Sequence, residues 1–170
     1  DIMTKLDCPD PSKILNQLRY KVIKTFQDGV TEKLSDGMDV TLGIIDVDNN
    51  LLHFSGANHN MHVVRNNQLQ VIKGDRMPVG EYPSKEKPFT THELQLFSGD
   101  ILYAFSDGYP DQFSGVSGRK YYLKKFKQTL LEISQESMDE QKRLLNVNFM
   151  NWKAGGDQTD DVLVMGLKIE

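Results

Sequence analysis

"MDVTLGIIDVDNNLLHFSGANHNMHVVRNNQLQVI", residues 38–72, decides the fold class. Met38, Val40, Leu42 and Ile44 alternate with Asp39, Thr41 and Gly43, the period of a strand with one buried face. "DVDNN" supplies turn residues, and "LLHFSG" resumes as a second strand, so the pair reads as a hairpin. "MHVVR" and "QLQVI", separated by Asn66 and Asn67, predict another. Hairpin after hairpin means antiparallel pairing.

Working outward, "DPSKILNQLRYKVIKTF" predicts a helix over residues 10–26. Asp10 is its N-cap, Pro11 its first residue, and Leu15, Leu18, Val22 and Phe26 its apolar stripe. Downstream, "KGDRMPVGEYPSKEKP" is broken by prolines and glycines and reads as loop. "FTTHELQL" alternates again. "SGD" is a tight turn, and "ILYAFS" is an unbroken apolar strand, hence central in its sheet. Two helices follow. Leu123, Phe126, Leu130 and Ile133 form the stripe of the first. "SMDE" is a capping box for the second, with Ser137 as cap, Glu140 at the third helical position, and Leu145, Phe149 and Trp152 as the buried face. "DVLVMGLKI" closes the chain as a strand. The class is α+β.

The chain has 170 residues, 38% hydrophobic and 26% charged, which fits one globular domain with a real core. A net charge of −4 offers no basic field, so nucleic acid is not an expected partner. No apolar run approaches the ~20 residues that cross a bilayer, and no membrane contact is expected. Cys8 is the single cysteine, so no intrachain disulfide can form and a reducing cytoplasm is the expected compartment.

Several motifs fail on inspection. "DVDNNLLHFSGA" opens like a calcium loop with Asp46, Asp48 and Asn50, but Leu51 and Ala57 stand where glycine and glutamate are required. "GVSGR" misses the nucleophile-elbow spacing by one residue, with Arg119 in the second glycine's place. His53, His59, His62 and His92 make no zinc spacing with Cys8.

The aspartates carry more. Asp107 ends the most apolar strand, and Asp160 and Asp161 directly precede another. If the strands are neighbours, these carboxylates converge at one rim, where burial and mutual repulsion would be relieved by a divalent cation. Hard oxygen donors suit Mg²⁺ or Mn²⁺. From the residues alone, a shared cation and a pair of turn-capping aspartates both remain open.

"LFSGDILYAFSDGYPD" and the closing "TDDVLVMG", with "GANH" after the first hairpin and "MPVG" ahead of the central strand, resemble the metal-dependent PPM protein phosphatases. The similarity is to their bacterial branch typified by sporulation stage II protein E. It runs over nearly the whole chain and rests on the order of the motifs together. The resemblance implies an antiparallel β-sandwich flanked by helices, with two Mn²⁺ or Mg²⁺ ions activating a water that attacks the phosphoryl group of a phosphoserine or phosphothreonine. It assigns Asp107 and Asp160 as metal ligands, with Asp161 and Gly108 supporting them from behind.

The chain departs from the family in one respect. The Gly-Gly-Asp strand and the Asp-x-x-Gly-His-Gly segment, which carry the remaining ligands, have no counterpart here. "DIMTKLDCPDPSKIL" resembles the end of one family helix and the start of the next. The expectation is therefore a single partial phosphatase domain over residues 1–170, incomplete at its N-terminus. It would be inactive as this polypeptide and prone to dimerise through exposed sheet. A phosphorylated protein, by analogy an anti-sigma-factor antagonist, would be the substrate. The alternative is a degenerate, non-catalytic phosphatase fold that binds a partner or dimerises.

Overall fold

The computed structural model describes residues 10–29, 37–82 and 87–170. The segment around Cys8 and part of the proline-rich loop lie outside these. The chain divides into two compact units: one holds the residues up to Met61 together with Val71–Phe97, and the other holds His62–Gln70 and Ser98–Glu170.

The first unit opens with α1 (Pro11–Gly29). Asp10 caps it as expected, its Oδ1 accepting the Ser12 amide at 2.9 Å. Leu15 is buried, with Leu18 and Val22 packed beside Ala57, Met77, Val79 and Phe89. Phe26, expected on the same stripe, is exposed at 39%. The helix instead buries Arg19, whose guanidinium lies 4.9 Å from the Phe89 ring centroid and donates to the Lys87 carbonyl at 2.9 Å.

β2 (Val40–Asp46) and β3 (Leu51–Ala57) form the first expected hairpin, in register from Val40 opposite Ala57 to Asp46 opposite Leu51. Asp46 Oδ1 accepts the Asp48 and Asn49 amides, each at 3.1 Å, so the would-be calcium loop is an aspartate-braced turn. β7 (His92–Gln95) pairs antiparallel on the other side of β3. Part of the expected loop forms a strand: β6 (Val79–Gly80) pairs with β1 (Gly37–Met38) in a short ribbon.

The second unit is built on a four-stranded sheet ordered β5 (Gln68–Ile72), β4 (Met61–Arg65), β8 (Ile101–Phe105), β9 (Val164–Lys168). Asn66 and Asn67 both take positive φ, at 49° and 58°, as a two-residue hairpin turn requires. β8 is central, as its unbroken apolar sequence predicts. α3 (Leu123–Ile133) and α4 (Met138–Lys153) cover one side with Phe126, Leu130, Ile133, Leu145 and Phe149. Ser137 Oγ accepts the Glu140 amide at 3.3 Å, so half of the capping box forms. The Glu140 carboxylate turns instead to Arg143, at 2.7 Å.

A four-residue helix, α2 (Gly108–Asp111), follows β8 directly. It is too short to show a period, yet it seats Tyr109 in the core. The Tyr109 hydroxyl donates to the Leu145 carbonyl at 2.9 Å.

Candidate functional site

The candidate site lies in the second unit, where the end of β8 meets the approach to β9. The ladder pairs Phe105 with Val164. One residue further along β8, Ser106 takes over the pairing. Its amide donates to the Leu163 carbonyl at 3.0 Å, and its hydroxyl donates to the Asp161 carbonyl at 2.7 Å while accepting the Leu163 amide at 3.0 Å. A serine can do both because its hydroxyl is donor and acceptor at once.

Gly108 is pressed against this approach. A Cβ built there would stand 2.3 Å from the Asp161 carbonyl oxygen and 3.3 Å from the Asp160 carbonyl carbon. The requirement for glycine is close backbone approach, since Gly108 sits in a helix and not among the residues of positive φ.

The structure thus brings together the backbones that carry Asp107 and Asp160. Asp107 occupies the N-cap of α2, but its side chain makes no capping hydrogen bond, so the turn-capping reading does not describe it. Asp160 Oδ1 accepts the amide of the next residue, Asp161, at 2.7 Å. Asp111 pairs with Lys120, at 3.0 Å.

Asp107, Asp160 and Asp161 are all exposed. The expected burial penalty therefore does not operate here, and it supplies no argument for a cation. Among the described residues, the buried carboxylate lies at the other end of β8. Asp100, 1% exposed, accepts two bonds from Arg65: Nε to Oδ1 at 2.8 Å and Nη2 to Oδ2 at 2.6 Å. The guanidinium is raised above its ordinary value by that hydrogen bond, against the effect of burial. The tight turn read from "SGD" carries no sign of this pair, whose partners are 35 positions apart.

Magnesium and manganese take hard oxygen ligands, about six of them. The donor chemistry at this rim suits such an ion. Among the described residues, however, no group of three or more His, Cys, Asp or Glu is placed to hold one. The described residues thus offer suitable oxygen donors but no complete ligand group for such an ion.

The approach to Asp160 is also held from α2. Gln112, fully buried, donates through Nε2 to the Asp157 carbonyl at 2.8 Å and the Phe113 carbonyl at 3.0 Å. Its Oε1 accepts the Thr159 amide at 3.3 Å. The Gln112 carbonyl takes the indole N–H of Trp152 at 3.0 Å. Nothing in the local sequence around Gln112 marks this role.

A family model described as Stage II sporulation protein E (SpoIIE) matches residues 3–170. Among solved structures, the SiaA-PP2C domain of Pseudomonas aeruginosa is similar with a TM-score of 0.85 at 21% identity, over 99% of this chain and 65% of that one. The SpoIIE phosphatase domain from Bacillus subtilis, presoaked with Mn, matches with a TM-score of 0.61 at 19% identity, over 98% of this chain and 76% of that one. The RsbU and RsbW domains of a Mycobacterium tuberculosis protein match with a TM-score of 0.60 at 16% identity, over 92% of this chain and 46% of that one. The chain thus spans about two thirds of the SiaA domain and less than half of the mycobacterial protein. No curated protein sequence matches it. The α+β class with antiparallel sheets and helices agrees with these folds.

Proposed function

The chain belongs to the Stage II sporulation protein E family of PPM-type phosphatase domains, and from that premise we propose that residues 1–170 form one partial serine/threonine protein phosphatase domain of a bacterial signalling regulator. In this reading Asp107 and Asp160 hold Mn²⁺ or Mg²⁺, and Asp161 and Gly108 shape the rim behind them. The observation that carries it is that Asp107, at a helix N-cap without a side-chain capping bond, directly precedes Gly108, whose backbone packs against that of Asp160 and Asp161.

When bound, the metal pair of such an enzyme supplies an activated water for in-line attack on the phosphoryl group. The chain's own part is narrower. Two carboxylates offer oxygens, Ser106 fixes the spacing of their supporting strands, and Gly108 allows close approach. With no third ligand group among the described residues, this polypeptide by itself turns over phosphopeptide slowly or not at all. Mn²⁺-dependent hydrolysis of a phosphoserine peptide tests this, and rapid turnover by the 170-residue chain would overturn it.

The substrate is a phosphorylated protein, with an anti-sigma-factor antagonist as the first choice, and the compartment is the cytoplasm. The single cysteine supports that compartment, and no described helix is long and apolar enough to cross a membrane. The incomplete ligand set also favours a second reading, a non-catalytic relative that docks a phosphorylated partner. Phosphopeptide binding that is retained without any Mn²⁺ binding would select it.

A second copy of the chain is the other partner. Among the described residues β9 pairs only with β8. Leu163, Met165 and Leu167 stand exposed at 60%, 61% and 46%, alternating along one face. Antiparallel pairing of β9 with another β9 about Met165 sets Leu163 against Leu167 and closes both edges. Light scattering of the eluting chain is expected to show a dimer that Met165→Lys dissociates. A wild-type monomer would overturn this arrangement.

A further inference from the structure

Gln112 ties together the two limbs that form the rim. The limb carrying Asp107 runs from β8 into α2, and Gln112 is the C-cap of that helix. The limb carrying Asp160 runs from Asp157 to Leu163. It is tied at its far end by Ser106, through the Asp161 carbonyl and the Leu163 amide. Its near end is tied by Gln112, through the Asp157 carbonyl and the Thr159 amide.

The chemistry of the side chain matches the task. A carboxamide has two N–H donors and one acceptor oxygen. Both donors meet carbonyls, of Phe113 and Asp157, and the oxygen meets an N–H. A carboxylate in the same place would set oxygen against two carbonyl oxygens, and an apolar side chain would remove the partner of each of these part-buried groups. The backbone of Gln112 is fixed in turn: its carbonyl accepts from Trp152 and from the Tyr121 amide, at 3.0 and 2.9 Å. The clamp is thereby anchored to the core and not to solvent.

We propose that Gln112 is a positioning residue: it sets where the Asp160 carboxylate stands relative to Asp107, and so whether the two can share a cation. This rests on the metal-site reading above. Packing alone would require only shape from Gln112. Positioning requires that the order of the 157–161 limb depend on its polar atoms.

The test uses the ¹⁵N-labelled 170-residue chain and Gln112→Met, which keeps the shape and removes every side-chain bond. The Thr159 amide is expected to exchange with solvent at least tenfold faster in the variant, while the Ser106 amide keeps its wild-type rate. Substoichiometric Mn²⁺ is expected to broaden the amides of residues 107–108 and 160–161 together in the wild type, but only those of 107–108 in the variant. Unchanged Thr159 exchange, or broadening that stays equal at both limbs, would overturn the proposal. Should Gln112→Met not fold, Gln112→Glu keeps the acceptor and loses the donors. Coupled broadening is expected to be lost there too, and its retention would overturn the proposal. If Mn²⁺ broadens neither limb of the wild type, the metal reading fails, and the exchange rates alone decide the positioning role.

Discussion

Ser106 and Asp161 are joined by a hydrogen bond of 2.7 Å from hydroxyl to carbonyl, 55 positions apart in the chain. This bond continues the pairing of β8 and β9 past the end of the ladder. Ser106→Ala removes it along with the acceptor for the Leu163 amide. The expected loss is about 1 kcal/mol, the net worth of one or two partly exposed hydrogen bonds. Urea denaturation measures it, and a neutral substitution would show that backbone pairing alone holds this end.

Gly108→Ala is expected to cost more. The added methyl group would meet backbone atoms, which cannot rotate away as a side chain would. About 1–3 kcal/mol is the usual range for such overpacking. The displacement should also show as shifted amide resonances at Asp160 and Asp161.

Asp107→Asn separates stability from metal binding. The carboxylate is exposed and makes no capping bond, so the melting behaviour should stay within about 0.5 kcal/mol of wild type. Mn²⁺ broadening of nearby amides should nevertheless fall sharply. Loss of stability without loss of Mn²⁺ binding would place Asp107 among structural residues.

Arg65→Ala leaves Asp100 buried without its bidentate partner. Breaking a buried pair from one side costs about 3–5 kcal/mol, and the partial exposure of Arg65, 27% for its side chain, argues for about 3. The chain would then unfold at markedly lower urea, with little change in Mn²⁺ broadening at residue 107.

Asp10 gives the acid limb of stability. Burial pushes its carboxyl upward, but hydrogen bonds from Thr91 and Ser12 outweigh that and hold it below its ordinary value of 3.8. A folded-state value below the unfolded one means that the stabilisation is present above the unfolded value. It is lost as pH falls through the folded one. Urea midpoints taken between about pH 5 and about pH 2 should therefore drop more steeply for wild type than for Asp10→Ala.

The hairpins were legible because alternation is a local signal and Asn66 and Asn67 name their own turn. The helices were legible from their stripes and caps, except that Phe26 faces solvent while Arg19 goes inside against Phe89. Asp107 and Asp160 could be singled out because each adjoins an apolar strand. Their exposure could not, because it depends on which segments cover the rim. Arg65 with Asp100, and Gln112 with Thr159, were invisible for a common reason. Each pairing spans tens of residues, and neither residue type is unusual where it stands.

The bond from Trp152 to the Gln112 carbonyl has an optical consequence. Trp152 is the sole tryptophan, and its ring lies 3.8 Å from the Lys125 ammonium as well. All indole emission therefore originates one residue's breadth from the clamp that steadies the Asp160 limb. A change in fluorescence on adding a cation or a phosphopeptide would be a signal from that limb's anchor, obtained without attaching any dye.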